Sequence, residues 1–512
     1  MDRTHMEKYI KIDKLIRNAR SGLIVFLVAL PLCLGIALAS GAPLMSGLIA
    51  GIIGGLVVGS ISNSKVSVSG PAAGLSIIVF QGINDIGSFQ NVGYAIVLSG
   101  LFQISLGLIK SGRITDYLPL SVIEGMMSSI GILLIIKQVP YIFGENSYHD
   151  IYDAITMHKK HIFHSGAIFL GGLSIILYIT FRYFNLERYK AFHIIPFPLL
   201  LVAGTSIIAL YLRTTPMSLS DSDFVHIKDF VNNYNLFQNL NWQGLALLVQ
   251  PGTIKLAFII AIVASIESLL SIEAADKLDP EKSTTNKDRE LVAQGIGNIA
   301  SGFLGGLPIT SVVVRSSVNV QSGANSRASA IIHGFYILIA ILFMTQLIDL
   351  IPLATLATIL IFTGYNLAHP QLIKKIYHHG ISQFVPFIIT IISVLATDLL
   401  KGVLIGFIST IFFTLKDHYY VQNKQLNKLN HDNSTIEIKF GSHLTFLLKK
   451  QIKSQIHAIP NNSICTLNFG QTIHIDHEIK EIFKDFIRDA IHKNISLVID
   501  DRKNLLEGSS ND

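Results

Sequence analysis

Charged residues are scarce in this chain. Only 14% of its 512 residues are Asp, Glu, Lys or Arg, against about 25% in soluble proteins. Half of the residues are hydrophobic, and the mean hydropathy is +0.51. A soluble fold of this length cannot bury so much apolar surface. The composition therefore excludes a soluble globular protein and predicts an integral membrane protein in contact with the lipid bilayer.

Cysteine and the common catalytic motifs are also scarce. Only Cys33 and Cys465 occur, and their separation fits neither a zinc site nor a disulfide framework. The sequence has no phosphate-binding P-loop, no nucleophile elbow and no His-Glu-x-x-His motif. It also has no basic patch with interleaved aromatic residues, so nucleic acid is not an expected partner. We expect neither an enzyme nor a bound organic cofactor.

Long apolar segments are what the chain does contain. A transmembrane helix needs roughly 17–25 largely apolar residues. The clear candidates are 21–38, 44–60, 92–109, 119–136, 163–180, 194–212, 254–272, 328–348, 349–366, 384–398 and 400–415, and shorter or interrupted segments lie near 66–81, 290–303 and 308–322. The pattern predicts about fourteen spans.

The distribution of charge predicts the orientation of these spans. The net charge is +6, and basic residues concentrate in the first twenty residues, after residue 180 and near 370–380, whereas the loop 213–250 is acidic. Basic loops remain on the cytoplasmic side of a membrane. Because the number of spans is even, both termini are expected in the cytoplasm, with the protein in a bacterial inner membrane.

The composition divides the chain into five parts. A charged lead, 1–20, precedes a membrane domain, 21–416. A polar linker is predicted at 417–433, a small soluble domain at 434–505 and a disordered tail at 506–512. In the soluble domain, STIEIKF, SICTLNF and ISLVIDD have the pattern of strands, and the segments between them have helical spacing. Alternating strands and helices predict an α/β fold.

Two predicted spans are interrupted by glycine and proline. In Lys65–Phe80, a few residues with strand alternation end at Gly70 and Pro71, and helical spacing follows. In Gly305–Arg327, a break that contains Pro308 is again followed by β-branched residues and a helical segment. Non-helical backbone inside a bilayer is tolerated only where it is buried in protein or lines a cavity. Paired breaks in corresponding halves of a chain point to the binding site of a transporter.

The chemistry of such a site favours an anion. A half-helix that begins in mid-membrane exposes free N–H groups and the positive end of its dipole. The predicted anion-binding residues are Ser69, Gly70, Pro71, Ala72, Ala73, Thr310, Ser311 and Arg315, and Ser76 is a further hydroxyl donor. The alternative is that the glycines and prolines serve only close helix packing or a kink.

An acidic residue lies near the middle of the predicted span 254–272. An ionised Glu267 costs several kcal/mol of free energy in the bilayer unless it is protonated, paired or turned toward a cavity. Ser271 is four residues further and shares its helix face. The pair is a candidate site for a coupling sodium ion, and Glu267 alone is a candidate proton carrier. The alternative is a structural ion pair, for example with Arg315.

Three segments resemble the SulP family of anion transporters. They are ALPLCLGIALASGAPLMSGLIAGIIGG, SVSGPAAGLS and NKDRELVAQGIGNIASGFLGGLPITSVVVRSS, and their order extends the resemblance over residues 15–415. The resemblance implies two inverted repeats of seven spans, with spans 1–4 and 8–11 as a core domain and spans 5–7 and 12–14 as a gate domain. It also implies a homodimer, an elevator-like movement, and an anion held between the half-helices of spans 3 and 10.

The same resemblance assigns roles to individual residues. Glu267 matches an acidic position linked to sodium or proton coupling, and Arg315 matches a basic position near the anion site. The soluble domain resembles a STAS domain, although Asp476-His477-Glu478-Ile479 replaces the usual Asp-x-Ser-Gly. The first span has Leu32 and Ile36 where many members have a glutamine and an aromatic residue. With fewer polar groups available, bicarbonate is favoured over sulfate.

The sequence thus leads to one main functional hypothesis and three alternatives. The main hypothesis is a secondary active transporter of a small inorganic anion, coupled to sodium or protons. An uncoupled exchanger or channel is disfavoured because Glu267 would repel anions unless a cation accompanied them. A dicarboxylate or nucleobase carrier would need more hydrogen-bonding side chains. A scaffold or sensor would have no use for two matched chain breaks.

Overall fold

A computed structural model describes residues 3–113, 119–144, 164–185, 196–397 apart from 214, 216, 218 and 229–241, and 399–501 apart from 427, 428, 433 and 434. The chain separates into two compact units. The first contains Met1–Ile376 and Phe387–Ile405, and the second contains Tyr377–Pro386 and Gly406–Asp512. The predicted tail 506–512 lies outside the described residues.

Fourteen helices in the described residues match the fourteen predicted spans one by one. They are α1 (Arg3–Ala39), α2 (Leu44–Ile61), α3 (Ala73–Ile86), α4 (Phe89–Leu108), α5 (Leu120–Ile142), α6 (Ser165–Tyr183), α7 (Phe197–Leu212), α8 (Pro251–Leu278), α9 (Lys287–Phe303), α10 (Val313–Gln321), α11 (Ala328–Phe343), α12 (Leu353–Leu367), α13 (Ile381–Ala396) and α14 (Leu399–Leu426). Among them, seven helices of at least 18 residues are apolar enough to cross a membrane. Short helices at Thr345–Ile348 and Pro370–His378 connect the longer ones.

The charged lead is part of the first helix. α1 runs without interruption from Arg3 to Ala39, through Pro31. At 1.5 Å per residue, its 37 residues extend about 55 Å, well beyond the roughly 30 Å of a bilayer core. The range 1–20 is therefore a helical extension of the first span.

The two interrupted segments form one structure. Strand β1 (Ser69–Pro71) pairs antiparallel with strand β2 (Ile309–Ser311), with Gly70 opposite Thr310. β1 leads into α3 and β2 leads into α10, so the two half-helices leave the strand pair in opposite directions. This is the arrangement expected of two inverted repeats, since α3 and α10 are the third helix of each half.

Helix packing in the first unit separates a core group from a gate group. In the core group, α4 packs along α9, α1 along α11, and α8 against α3 and α4. In the gate group, α12 packs along α5 and α6, and α6 packs against α7. The groups meet where α1 contacts α12 and where α3 contacts α5. At the latter contact, the Lys137 ammonium lies 3.0 Å from the centre of the Phe80 ring.

The second unit contains an α/β fold. Its sheet has the strand order β3 (Leu429–Asp432), β4 (Thr435–Lys439), β6 (Ile464–Asn468) and β8 (Ser496–Asp500), and a separate pair joins β5 (His443–Leu444) to β7 (His474–Ile475). β4, β6 and β8 are parallel, and α15 (Lys449–His457) and α16 (His477–His492) lie between them in sequence. The three predicted strands and both helical segments are confirmed. Burial of Cys465 in the core of this domain raises the pKa of its thiol to about 11, so the thiol stays protonated.

The linker predicted at 417–433 is wrong for most of its length. α14 continues to Leu426, and Leu429–Asp432 forms β3, which pairs antiparallel with β4. No glycine or proline occurs between residues 407 and 440, so no residue in this stretch breaks the helix where apolar residues give way to polar ones. The polar composition marks where the helix loses its apolar character, and the helix itself ends later.

Glycines allow the core helices to touch backbone to backbone. A Cβ atom on Gly100 of α4 would lie 2.5 Å from the carbonyl oxygen of Gly295, and a Cβ atom on Gly295 of α9 would lie 2.6 Å from the carbonyl oxygen of Gly100. The contact is therefore reciprocal, and neither position can accept a Cβ atom unless the two helices move apart. This is the small-residue packing that apolar surroundings favour, because side chains gain nothing there by leaving lipid.

We expect Gly100→Ala to destabilise the protein by about 1–3 kcal/mol, because the added methyl group forces the α4 and α9 backbones apart. The measurement is the thermal unfolding midpoint in detergent. Gly204→Ala in α7 is the matched control, because a Cβ there meets nothing within 4 Å. Equal midpoints for the two variants would contradict the packing argument.

Candidate functional site

Both half-helices begin without a side-chain cap. Their N-cap residues, Ala72 and Val312, have extended backbone angles (φ −111°, ψ 137° and φ −122°, ψ 117°), and neither α3 nor α10 receives a capping hydrogen bond from a side chain. The first N–H groups of a helix have no partner within the helix. Alanine and valine at these positions leave those groups, and the positive ends of two dipoles, for a ligand.

The side chain of Arg315 lies fully buried beside the strand pair. Its Nη1 atom occupies the space that a Cβ atom on Gly70 would need, and its Nη2 atom donates to the Cys33 sulfur at 3.4 Å. The Nε and Nη1 atoms have no hydrogen-bond partner among the described residues. A buried cation without a carboxylate partner is costly. It creates a positive potential that an anion at the helix N-termini would relieve.

Only some of the predicted hydroxyl donors have a free hydrogen. The Ser311 and Ser67 hydroxyls bond each other at 2.5 Å, and the Ser311 amide donates to Ser268 Oγ at 3.2 Å. The Ser76 hydroxyl donates to the Ala73 carbonyl, which commits it to its own helix. The Thr310 hydroxyl, in contrast, is fully buried without a partner among the described residues. Ser69, which accepts a hydrogen bond from Gln294, keeps its own hydrogen.

Glu267 lies against the first turn of α3. A Cβ atom on Gly74 would approach its Oε2 atom to 2.8 Å, and that oxygen has no hydrogen-bond partner among the described residues. The side chain as a whole is partly buried, and Ser271, one turn further along α8, is 3% exposed. No ion pair joins Glu267 to Arg315 in the described part of the chain, so the structural pair considered from the sequence is not seen.

A polar stripe on α9 was not predicted as part of the site. Glu290, Gln294 and Asn298 are spaced by four residues and are fully buried. Asn298 accepts from the Ile309 amide at 2.6 Å and donates to the Ile309 carbonyl at 3.0 Å, which fixes the start of β2. Gln294 holds β1 through Ser69. The spacing i, i+4, i+8 of these polar residues was a signal in the sequence that identifies a buried helix face.

Comparison with known proteins decides the family. The profile described as "Sulfate permease family" matches residues 15–392, nearly three quarters of the chain. The chain belongs to the sulfate permease family. The matched residues include both strands, both half-helices and Glu267. The protein is thus an integral membrane protein of a family of anion transporters, and the resemblance noted in its sequence is confirmed.

Two curated relatives and one solved structure are similar to this chain over most of its length. The putative sulfate transporter YvdB of Bacillus subtilis is 25% identical over 78% of this chain and 74% of its own length. The bicarbonate transporter BicA of Picosynechococcus is 25% identical over 94% of this chain and 88% of its own length. The structure of the murine anion transporter Slc26a9 in the inward-facing state aligns with a TM-score of 0.73 over 95% of this chain and 85% of that one. At 14% sequence identity, that likeness shows the fold alone.

The contact between Gly70 and Arg315 is open to a direct test. We expect Gly70→Ala to destabilise the protein by about 1–3 kcal/mol, because the added methyl group overlaps the buried Arg315 guanidinium and forces it to shift. In an Arg315→Ala background the same substitution should cost much less. Thermal unfolding of the four proteins of this double-mutant cycle gives the coupling energy. A coupling energy near zero would show that the two residues do not touch.

Proposed function

We propose that this protein is a secondary active transporter of a small inorganic anion, with bicarbonate favoured and sulfate next. The observation that carries the proposal is the strand pair from which two uncapped half-helices begin, beside the buried and partly unpartnered Arg315. Backbone N–H groups and one guanidinium attract an anion without requiring it to be large. The anion binds between α3 and α10, near Ser69, Gly70, Pro71, Ala72, Ala73, Thr310 and Ser311.

The small number of side-chain donors favours a singly charged anion. Ser69 and Thr310 have hydrogens to donate, and one hydrogen of the Ser67–Ser311 pair also stays free. α10 begins with Val313 and Val314, which are 39% and 53% exposed. Leu32 of α1 packs on the apolar core and brings no polar group. Sulfate carries two charges and needs more donors to replace its hydration. One relative is named as a bicarbonate transporter and another as a putative sulfate transporter, so both anions are tested.

Coupling to a cation follows from the position of Glu267. A carboxylate against the first turn of α3 repels an anion at the same helix end unless a sodium ion or a proton neutralises it. Sodium would be held by carboxylate and hydroxyl oxygens at Glu267 and Ser271, which are ligand types that hard cations prefer. This electrostatic link favours a coupled transporter over an uncoupled exchanger or channel.

The separation of core and gate helices supports an elevator-like movement of one group against the other. The protein would act as a homodimer in a bacterial inner membrane, with both termini in the cytoplasm.

The C-terminal α/β unit is assigned a STAS-like regulatory role. Phosphorylation at the motif that begins at Asp476 has little support, because Glu478 and Ile479 stand where the usual motif has serine and glycine.

Uptake of radiolabelled bicarbonate and sulfate into proteoliposomes tests the proposal, with and without an inward sodium gradient and at several pH values. Sodium-driven bicarbonate uptake that sulfate does not inhibit is the expected result. Sulfate uptake driven by pH alone would keep the anion site and make Glu267 a proton carrier. Failure to transport either anion under any gradient would overturn the proposed function.

Glu267→Gln is expected to abolish the sodium or pH dependence of uptake, because the amide carries no charge to neutralise. Glu273→Gln is the control, since Glu273 lies six residues further on α8 in exposed pairs with Lys277 and Lys287. It should leave the cation dependence unchanged. Unaltered dependence in Glu267→Gln, at normal expression and unfolding temperature, would remove Glu267 from the coupling mechanism.

A further inference from the structure

The fully buried amide of Gln294 joins a carboxylate to a residue of the anion site. Its Nε2 atom donates to Ser69 Oγ at 2.8 Å and to Glu290 Oε1 at 2.8 Å. Its Oε1 atom has no partner among the described residues. The three side chains therefore form a chain of hydrogen bonds from the first turn of α9 to strand β1.

The contacts of Glu290 show which way these hydrogen bonds point. Its Oε2 atom accepts from the Ser62 hydroxyl at 2.5 Å, and the Ser62 oxygen itself accepts from the Ser64 amide at 3.1 Å. Both carboxylate oxygens thus act as hydrogen-bond acceptors. Glu290 also lies in the first turn of α9, where the helix dipole favours a negative charge. Because the Glu290 carboxylate accepts this hydrogen bond, Gln294 must turn its NH2 group toward it.

The direction matters for Ser69. Because its oxygen accepts from Gln294, its own hydrogen points elsewhere, and Ser69 precedes Gly70 and the start of α3 on β1. We propose that Gln294 and Glu290 are positioning residues that hold Ser69 as a hydrogen-bond donor to the transported anion. This inference rests on the proposed anion site and adds to it a mechanism of specificity, since a donating hydroxyl favours anions over cations.

Loss of the charge at position 290 has a defined structural consequence. A neutral amide there can donate as well as accept, so nothing fixes the orientation of the Gln294 amide. With that amide reversed, its oxygen accepts from the Ser69 hydroxyl. The anion then loses a donor, although every side chain keeps its size and place.

The test is Glu290→Gln, which preserves shape and removes the charge. A hydrogen bond to a charged ligand is worth enough that its loss should raise KM for the transported anion about tenfold, with a small change in maximal rate. Anion-dependent thermal stabilisation of the detergent-solubilised protein, titrated with bicarbonate and with sulfate, gives a second measure of affinity. Glu273→Gln again controls for loss of a carboxylate at an exposed position. If Glu290→Gln does not fold, Ser62→Ala is the second variant. It removes one hydrogen bond to the Glu290 carboxylate and leaves the carboxylate itself in place, so it should raise KM by a smaller factor.

A double-mutant cycle with Ser69→Ala separates positioning from general damage. Once the Ser69 hydroxyl is absent, Glu290→Gln should have no further effect on KM or on the stabilisation by anion. An equal effect in both backgrounds would overturn the inference. If Ser69→Ala alone changes neither quantity, Ser69 is not part of the anion site, and the proposed site fails at this residue. If Ser69→Ala weakens binding and Glu290→Gln does not, the site stands and the positioning role is wrong.

Discussion

Backbone hydrogen bonding within a bilayer is the constraint on which this structure depends. An unpaired N–H or C=O group in hydrocarbon costs several kcal/mol, so a chain that leaves the helical conformation in mid-membrane must find partners elsewhere. Here the two breaks satisfy each other through the antiparallel pair of β1 and β2. Asn298 closes the start of β2, and Gln294 secures β1. The starts of α3 and α10 receive no side-chain cap, and in the proposed site the first N–H groups of these helices bind the anion.

Groups of opposite charge lie close to the strand pair. Arg315 is buried against Gly70 and places a positive charge near the start of α10. The carboxyl group of Glu267 lies against the first turn of α3. Glu290 lies further away, with both of its oxygens bonded. In the proposed mechanism, these opposed groups make the binding of the anion depend on the cation or proton that is bound.

Much of the fold was predictable because its cause is local. The number of spans follows from apolar segment length, and the breaks at Pro71 and Pro308 follow from residues that cannot continue a helix. The linker prediction failed because polar composition does not stop a helix that lacks glycine and proline. The α9 stripe was present in the sequence at positions 290, 294 and 298, yet its importance depended on what lies opposite it, and spacing alone does not show this.

The sequence by itself determined the class of the protein, its spans, the two chain breaks and the residue types available for an anion. These depend on hydropathy, on helix-breaking residues and on the charge each side chain carries. Only the tertiary structure decided that β1 and β2 pair, that Arg315 fills the space over Gly70, that Glu267 meets Gly74 and that Gln294 bonds Ser69. Each of these contacts joins residues that lie about 190 or more positions apart in the chain. Their formation depends on how close the glycines let the helices approach, because distance in space is set by packing and not by separation along the chain.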